Sequence, residues 1–274
     1  MVRLVNNGFT LVELIIVIVL VGIISMSTMQ FIKFGAEIYA TGTERDEVVA
    51  QARFALVRMS KELRQTTPNS IRITTGNVSG QPFQCLEYTP FKASSIYVNN
   101  PPLDTSSAGE LVVVSFDNEK IAIKNDRVTL YPQSPDDIYD LSNNRVRLLV
   151  ADPVVAEANK TQRWSFDNGF AVSSPTQRLF VLNTSPVSFC VEGDSLYYYQ
   201  GYDFEVLQPT PSLLHVLDGV KGQLLSKYIT NHLVFGFNDA SLTRNAIVNI
   251  RLEMGFNDSE GIVFNHEVHI PNVP

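Results

Sequence analysis

The feature that most limits this chain is a run of nineteen uncharged residues, Leu14 to Ile32. Eleven of the nineteen are Leu, Ile or Val. A helix over residues 9–32 is about 36 Å long, enough for the roughly 30 Å hydrocarbon core of a bilayer. The first thirty-two residues hold only two charges, Arg3 and Glu13. Arg3 lies before the apolar run, so the positive-inside rule places the N-terminus in the cytoplasm and exports everything after Lys33. A removed secretory signal would end its apolar run at a small-residue site, whereas this run is longer and continues into a helical pattern. A plain anchor accounts for the run but not for Glu13, because a charge at helix-centre depth costs about 3 kcal/mol on insertion scales. That carboxylate needs a cationic partner or a place that does not face lipid.

Gly8-Phe9-Thr10-Leu11-Val12-Glu13, followed by Leu14-Ile15-Ile16-Val17-Ile18, resembles the N-terminal signature of type IV prepilins and type II secretion pseudopilins. The resemblance implies cleavage after Gly8 by a prepilin peptidase and N-methylation at Phe9. It also implies that Glu13 pairs with the N-terminal amine of a neighbouring subunit, an arrangement in which each buried charge becomes tolerable. The implied fold is α+β and pilin-like: one long N-terminal helix with a membrane-spanning first half, then an antiparallel β-rich head. The expected organisation is a leader over 1–8, a transmembrane or filament-core helix over 9–32, an amphipathic helix over 33–66 and a periplasmic head over 67–274.

Between Lys33 and Arg64 apolar positions recur three or four apart at Phe34, Ile38, Val48, Ala52, Leu56, Met59 and Leu63, with one gap. Charged residues occupy the other side, and Arg58 and Glu62 form an i,i+4 pair. Pro68 stops the helix. Gly22, Gly35 and Gly42 interrupt it at about 1 kcal/mol each; close helix approach and simple tolerance both explain them, with Gly22 the better candidate for close approach. Beyond Pro68 short β-rich pieces are expected, at 71–74, 111–116, 120–124, 128–131, 178–182, 187–191, 196–200, 229–237, 247–254 and 262–270. The last two read as a hairpin turning over 257–261. The stretches 99–109 and 133–144 read as long polar loops.

Arg64-Gln65-Thr66-Thr67-Pro68-Asn69-Ser70-Ile71-Arg72 and the ending His266-Glu267-Val268-His269-Ile270 resemble J-type pseudopilins and the minor pilins of the mannose-sensitive haemagglutinin (MSHA) pilus, its O-type subgroup in particular. This likeness implies a low-copy subunit that primes or caps a filament, with other pilin subunits, the prepilin peptidase and the inner membrane as partners. The chain would be single-pass in the inner membrane, its head in the periplasm, and later part of a pilus at the cell surface.

Outside the helix few residues suggest chemistry. The formal net charge of −7 argues against nucleic-acid binding, which needs clustered Lys and Arg. In an oxidising compartment Cys85 and Cys190 can form a disulfide; two separate buried thiols are the alternative. His266 and His269 are three apart and point to opposite faces of a strand, so they fail the zinc-protease pattern. His215 and His232 have no ligand-like neighbours in sequence. Asp136, Asp137 and Asp140 carry oxygen for Ca²⁺ but read first as a solvated loop. Sequons at Asn77, Asn159, Asn183 and Asn257 carry little weight. With no nucleophile elbow, P-loop or dinucleotide fingerprint, no enzymatic activity and no cofactor are expected. A structural minor pilin is the leading expectation, a type II secretion pseudopilin the second, and a membrane-tethered periplasmic enzyme a distant third.

Overall fold

The computed structural model describes residues 8–115, 120–156, 160–217, 219–240, 244–256 and 261–271. The expected processing-side charge Arg3, the sequons Asn159 and Asn257, and most of the 257–261 turn lie outside them. The chain divides into two compact units, Met1–Val49 and Ala50–Pro274, and this boundary falls between the two expected at 32 and 66.

In the first unit the described residues form the opening of one helix, α1 (Leu11–Leu63). Its side chains are exposed throughout the apolar run, with Leu14 at 56%, Ile18 at 58% and Phe31 at 77%. The hydroxyls within or near that run close their own bonds: Ser25 donates to the Val21 carbonyl at 2.7 Å and Thr28 to that of Ile24 at 2.8 Å. A polar side chain satisfied this way makes little demand on its surroundings, as a hydrocarbon environment requires. Phe34 and Ile38 are exposed as well, so the described residues leave the first positions of the expected stripe uncovered.

The second unit begins inside α1. There Ala52, Ala55, Met59 and Leu63 are fully buried, spaced three or four apart on one face. The helix ends in tightened turns, Gln65 N–H donating to the Glu62 carbonyl at 3.0 Å and Thr66 to that of Leu63 at 3.2 Å. Pro68, which has no N–H, follows.

The strands in chain order are β1 (Arg72–Val78), β2 (Gln81–Tyr88), β3 (Phe91–Ile96), β4 (Gly109–Val114), β5 (Arg127–Thr129), β6 (Val146–Leu148), β7 (Val154–Ala156) and β8 (Thr161–Phe166). They continue with β9 (Arg178–Leu182), β10 (Val187–Glu192), β11 (Ser195–Gln200), β12 (Gln223–Ser226), β13 (Phe235–Asn238), β14 (Ala246–Met254) and β15 (Ile262–Ile270). Short helices α2 (Asp136–Tyr139) and α3 (Pro211–Leu214) intervene. Four sheets result, in the orders β1-β2-β10-β11-β12, β13-β14-β15, β3-β9-β5-β6 and β4-β8-β7, and every described pairing is antiparallel. The architecture is therefore α+β and pilin-like: one long apolar N-terminal helix followed by antiparallel sheets.

Within the second unit α1 lies against the first sheet. The Tyr88 hydroxyl donates to Glu62 at 3.4 Å, and the Arg58 guanidinium stands 5.2 Å from the Tyr198 ring centre. The buried Gln84 ties this sheet to β13. Its amide nitrogen donates to the Phe235 carbonyl at 2.9 Å, and its oxygen accepts the N–H groups of Val234 and Phe235, both at 2.7 Å. A separate core around Trp164, Tyr97, Phe166, Phe170 and Leu111 joins the two remaining sheets.

Several sequence expectations need correction. Residues 120–124 form no strand; the Asp126 carboxylate accepts the Ile123 N–H at 2.9 Å and Asn125 sits at φ +69°, which makes a turn. Residues 229–237 are strand only from Phe235, because Tyr228 is left-handed and Gln84 takes the backbone N–H groups of Val234 and Phe235. The polar stretch 133–144 folds into α2 and a 3-10 turn over Leu141–Asn143, with Ile138 and Tyr139 buried. Strands β2, β3, β6, β7, β8 and β12 fall outside the expected pieces. The sequences of β3, β8 and β12, FKASSI, TQRWSF and QLLS, lack the β-branched runs that mark a strand, and β6 and β7 are only three residues long.

Candidate functional site

The N-terminal helix begins with a cap. Thr10 Oγ1 accepts the Glu13 N–H at 3.3 Å, and Leu14 N–H reaches the Thr10 carbonyl at 3.2 Å. Thr10-Leu11-Val12-Glu13 thus has the spacing of a capping box, with Glu13 at the third helical position, where the exposed N–H groups favour an anion. The cap explains an acid there on local grounds. It gives the carboxylate no cation: Glu13 forms no ion pair among the described residues. Gly8 and Phe9 precede the helix, both exposed. A Cβ on Gly8 would meet no described atom within 4 Å, and the same holds at Gly22, Gly35 and Gly42. Nothing in the described single chain therefore calls for glycine at these four positions.

In the head, Cys85 on β2 and Cys190 on β10 stand directly opposite each other in register, bonded at 2.02 Å with their Cα atoms 4.1 Å apart. Both are fully buried, among Phe83, Tyr199, Tyr202 and Leu214. Beside them lies a polar network that sequence reading missed. Glu87, with no exposed surface, pairs with Arg72 and accepts from the Tyr202 hydroxyl at 3.0 Å. Tyr202 in turn lies 2.6 Å from Ser188 Oγ. Arg72 also donates to the carbonyls of Val206 and Glu205 at 2.6 and 2.8 Å, and its guanidinium lies 3.7 Å from the Tyr139 ring centre. Burial raises the Glu87 carboxyl above its ordinary value, while Arg72 and Tyr202 pull it back. Burial, reinforced by Glu87, raises the Tyr202 phenol well above its ordinary range. The alternation of β1 and β2 puts Arg72 opposite Glu87, a pairing visible only once the register is known.

The histidines divide. His266 Nε2 lies 2.7 Å from Ser60 Oγ, whose own proton goes to the Leu56 carbonyl at 2.6 Å, so His266 is the donor. His269 falls on the other face of β15, exposed. His215 gains neighbours that sequence did not show: Nε2 is 3.0 Å from Glu192 Oε2 and 3.1 Å from the Tyr199 hydroxyl. His232 is exposed. Of the three acids weighed for Ca²⁺, Asp137 turns inward to accept the N–H groups of Gln133 and Ser134, with Arg145 3.4 Å away. Asp140 instead caps the 3-10 turn through Ser142. Asp137 and Asp140 are thus each engaged by local partners. Among the described residues no group of three or more His, Cys, Asp or Glu side chains is placed to hold a metal ion.

Residues 3–29 match the family model described as the prokaryotic N-terminal methylation motif. No curated protein matches the chain, and no solved structure does. The matched motif, the apolar helix behind it and the antiparallel head together support a type IV prepilin-like protein anchored in a membrane, with a pilin or pseudopilin role.

Proposed function

We propose that this chain is a structural, non-enzymatic minor pilin of the MSHA type that takes part in starting or capping a filament after processing by a prepilin peptidase. The observation that carries the reading is the exposed apolar face of residues 14–32 combined with a Glu13 carboxylate that has no cation among the described residues. An apolar surface of this size is covered by lipid or by other helices, and a filament supplies both in turn. Cleavage after Gly8 would place a new amine at Phe9, and Glu13 of a neighbour is the charge that would meet it. Recognition by a prepilin peptidase is the reason for glycine that the motif match supplies. A J-type pseudopilin of a type II secretion system is the second reading, supported by the same motif.

The test uses the chain in its own host. Gly8→Leu leaves the precursor uncut at its full mass, and Glu13→Ala is cut but absent from sheared filaments. Efficient processing of Gly8→Leu, or normal incorporation of Glu13→Ala, would overturn the reading. Deleting the gene separates the two variants of it: loss of surface pili marks a pilin, and loss of protein export with intact pili marks a pseudopilin.

A further inference from the structure

On the second unit a groove of about 660 Å³ runs along the outer face of α1. Arg53, Leu56, Val57, Lys61 and Arg64 line it from the helix, and His266 lines it from β15. Arg53, Val57, Lys61 and Arg64 fall within roughly 80° of the helix circumference. None of the three cations forms an ion pair among the described residues, whereas Arg58, turned away from them, is paired with Glu62 at 2.9 Å. Val57, between the cations, is 68% exposed, and no described lining side chain is acidic.

β15 is the last strand of its sheet, so one edge of its nine residues pairs with no described strand. It follows the helix. Gln51 Oε1 accepts the Lys227 N–H at 2.8 Å, close to the Ile229–Met254 bridge, and Met254 faces Ile262 where β15 begins. Further along both elements Ser60 meets His266. An unpaired edge offers main-chain donors and acceptors to an extended segment; a helix laid in the groove would leave them unused. Side chains on one face of a strand recur about every 6.7 Å, and α1 presents Arg53, Val57 and Lys61 about every 6 Å. Over five strand residues the two repeats agree to within about 1.5 Å. An acidic residue, an apolar residue two on and a second acid two further on would thus meet Arg53, Val57 and Lys61 in turn. We propose that the groove receives an extended segment of another protein with this acid-x-apolar-x-acid pattern, added to the free edge of β15 with its carboxylates on α1. The positive strip on a chain of net charge −7 sets the sign of the partner. The inference does not rest on the filament reading, because any protein on the same side of the membrane can supply such a segment.

The experiment titrates the full chain in detergent into a fluorescein-labelled synthetic peptide, Thr-Ser-Glu-Thr-Val-Thr-Glu-Ser-Thr, and follows anisotropy at low salt. Binding is expected, and p-benzoylphenylalanine at Val57 should crosslink to the peptide. Arg53→Glu with Lys61→Glu weakens binding at least about tenfold, and a peptide with lysine in place of both glutamates recovers it on that variant. That recovery shows the variant to be folded. Two further peptides carry N-methyl groups on one or the other set of alternate amides. Since alternate N–H groups of a strand point to opposite edges, only one of the two should lose binding. No binding at millimolar peptide, binding indifferent to the charge exchange, or equal binding of the two methylated peptides would each overturn the proposal.

Discussion

Glu87 is the residue with most at stake in the head, because it is a carboxylate with no exposed surface. An ion in that position is tolerated only with its partners in place. Arg72 supplies the charge and Tyr202 a hydrogen bond at 3.0 Å. Arg72→Ala leaves the carboxylate buried without its cation, at a cost of about 3–5 kcal/mol near neutral pH. Losing the cation also drives the carboxyl further above its ordinary value of 4.5, the direction in which burial already pushes it. The folded variant then holds a proton that the unfolded chain releases, so its stability falls as pH rises through that window and recovers below it. Urea unfolding of the variant, followed by near-ultraviolet circular dichroism of the surrounding tyrosines, should show a deficit that is large at pH 7 and small near pH 4. A deficit independent of pH would mean that Arg72 acts through packing on Tyr139 alone. Neither residue stood out as part of a pair in the sequence, since fifteen positions separate them and only the β1–β2 register brings them together. Glu13 was legible for the opposite reason: a lone acid beside an apolar run conflicts with its immediate surroundings.

At the scale of elements, legibility followed how local the determining interactions were. The helix over Leu11–Leu63 announces itself by composition and spacing, and β14 and β15 by alternation. Residues 229–234 carry β-rich composition yet are not strand, because a side chain 150 positions away takes the Val234 N–H. Gln84→Leu would leave the N–H groups of Val234 and Phe235 buried and unpaired. Each such group costs about 1–3 kcal/mol, so the variant should unfold at markedly lower urea, with amide exchange at Val234 and Phe235 accelerated first. Protection unchanged at those two amides would remove Gln84 as the tie between the sheets. The disulfide shows the same limit of sequence: two cysteines 105 residues apart reveal compartment and count, while their opposition on β2 and β10 belongs to the sheet. Both sulfurs lie in a fully buried cluster, so a small thiol should reduce the bond far more slowly in native buffer than in urea. Equal rates in the two solvents would contradict that burial. Replacing both cysteines with alanine should cost up to about 4.7 kcal/mol by loop-closure entropy for a loop of about a hundred residues.

At the scale of the molecule, two solvents meet in one chain. Residues 14–32 carry no charge, and the chain beyond Ile32 holds 20 basic and 27 acidic side chains, the whole net charge of −7. Residues 8–47 keep their apolar side chains exposed, and the second unit buries several clusters, one of them around Trp164, the single tryptophan. Covering a Leu, Ile or Val side chain is worth about 1.5–3 kcal/mol, and eleven of them lie between Leu14 and Ile32. The first unit therefore governs where the chain resides, and the second governs whether it is folded. The full chain should remain in the membrane fraction through an alkaline carbonate wash and need detergent for extraction. A fragment of residues 50–274 should stay dissolved without detergent, with Trp164 emission at the blue-shifted wavelength of a fully buried indole. Each half of this expectation can fail alone. Release of the full chain by carbonate would show that the apolar helix is held by protein contacts and not by lipid. A soluble fragment with red-shifted emission would show that the core around Trp164 needs the first unit. If both halves hold, assembly can exchange the helix's lipid neighbours for other helices while the head remains folded, because the side chains that bury the head's core are not those that face the bilayer.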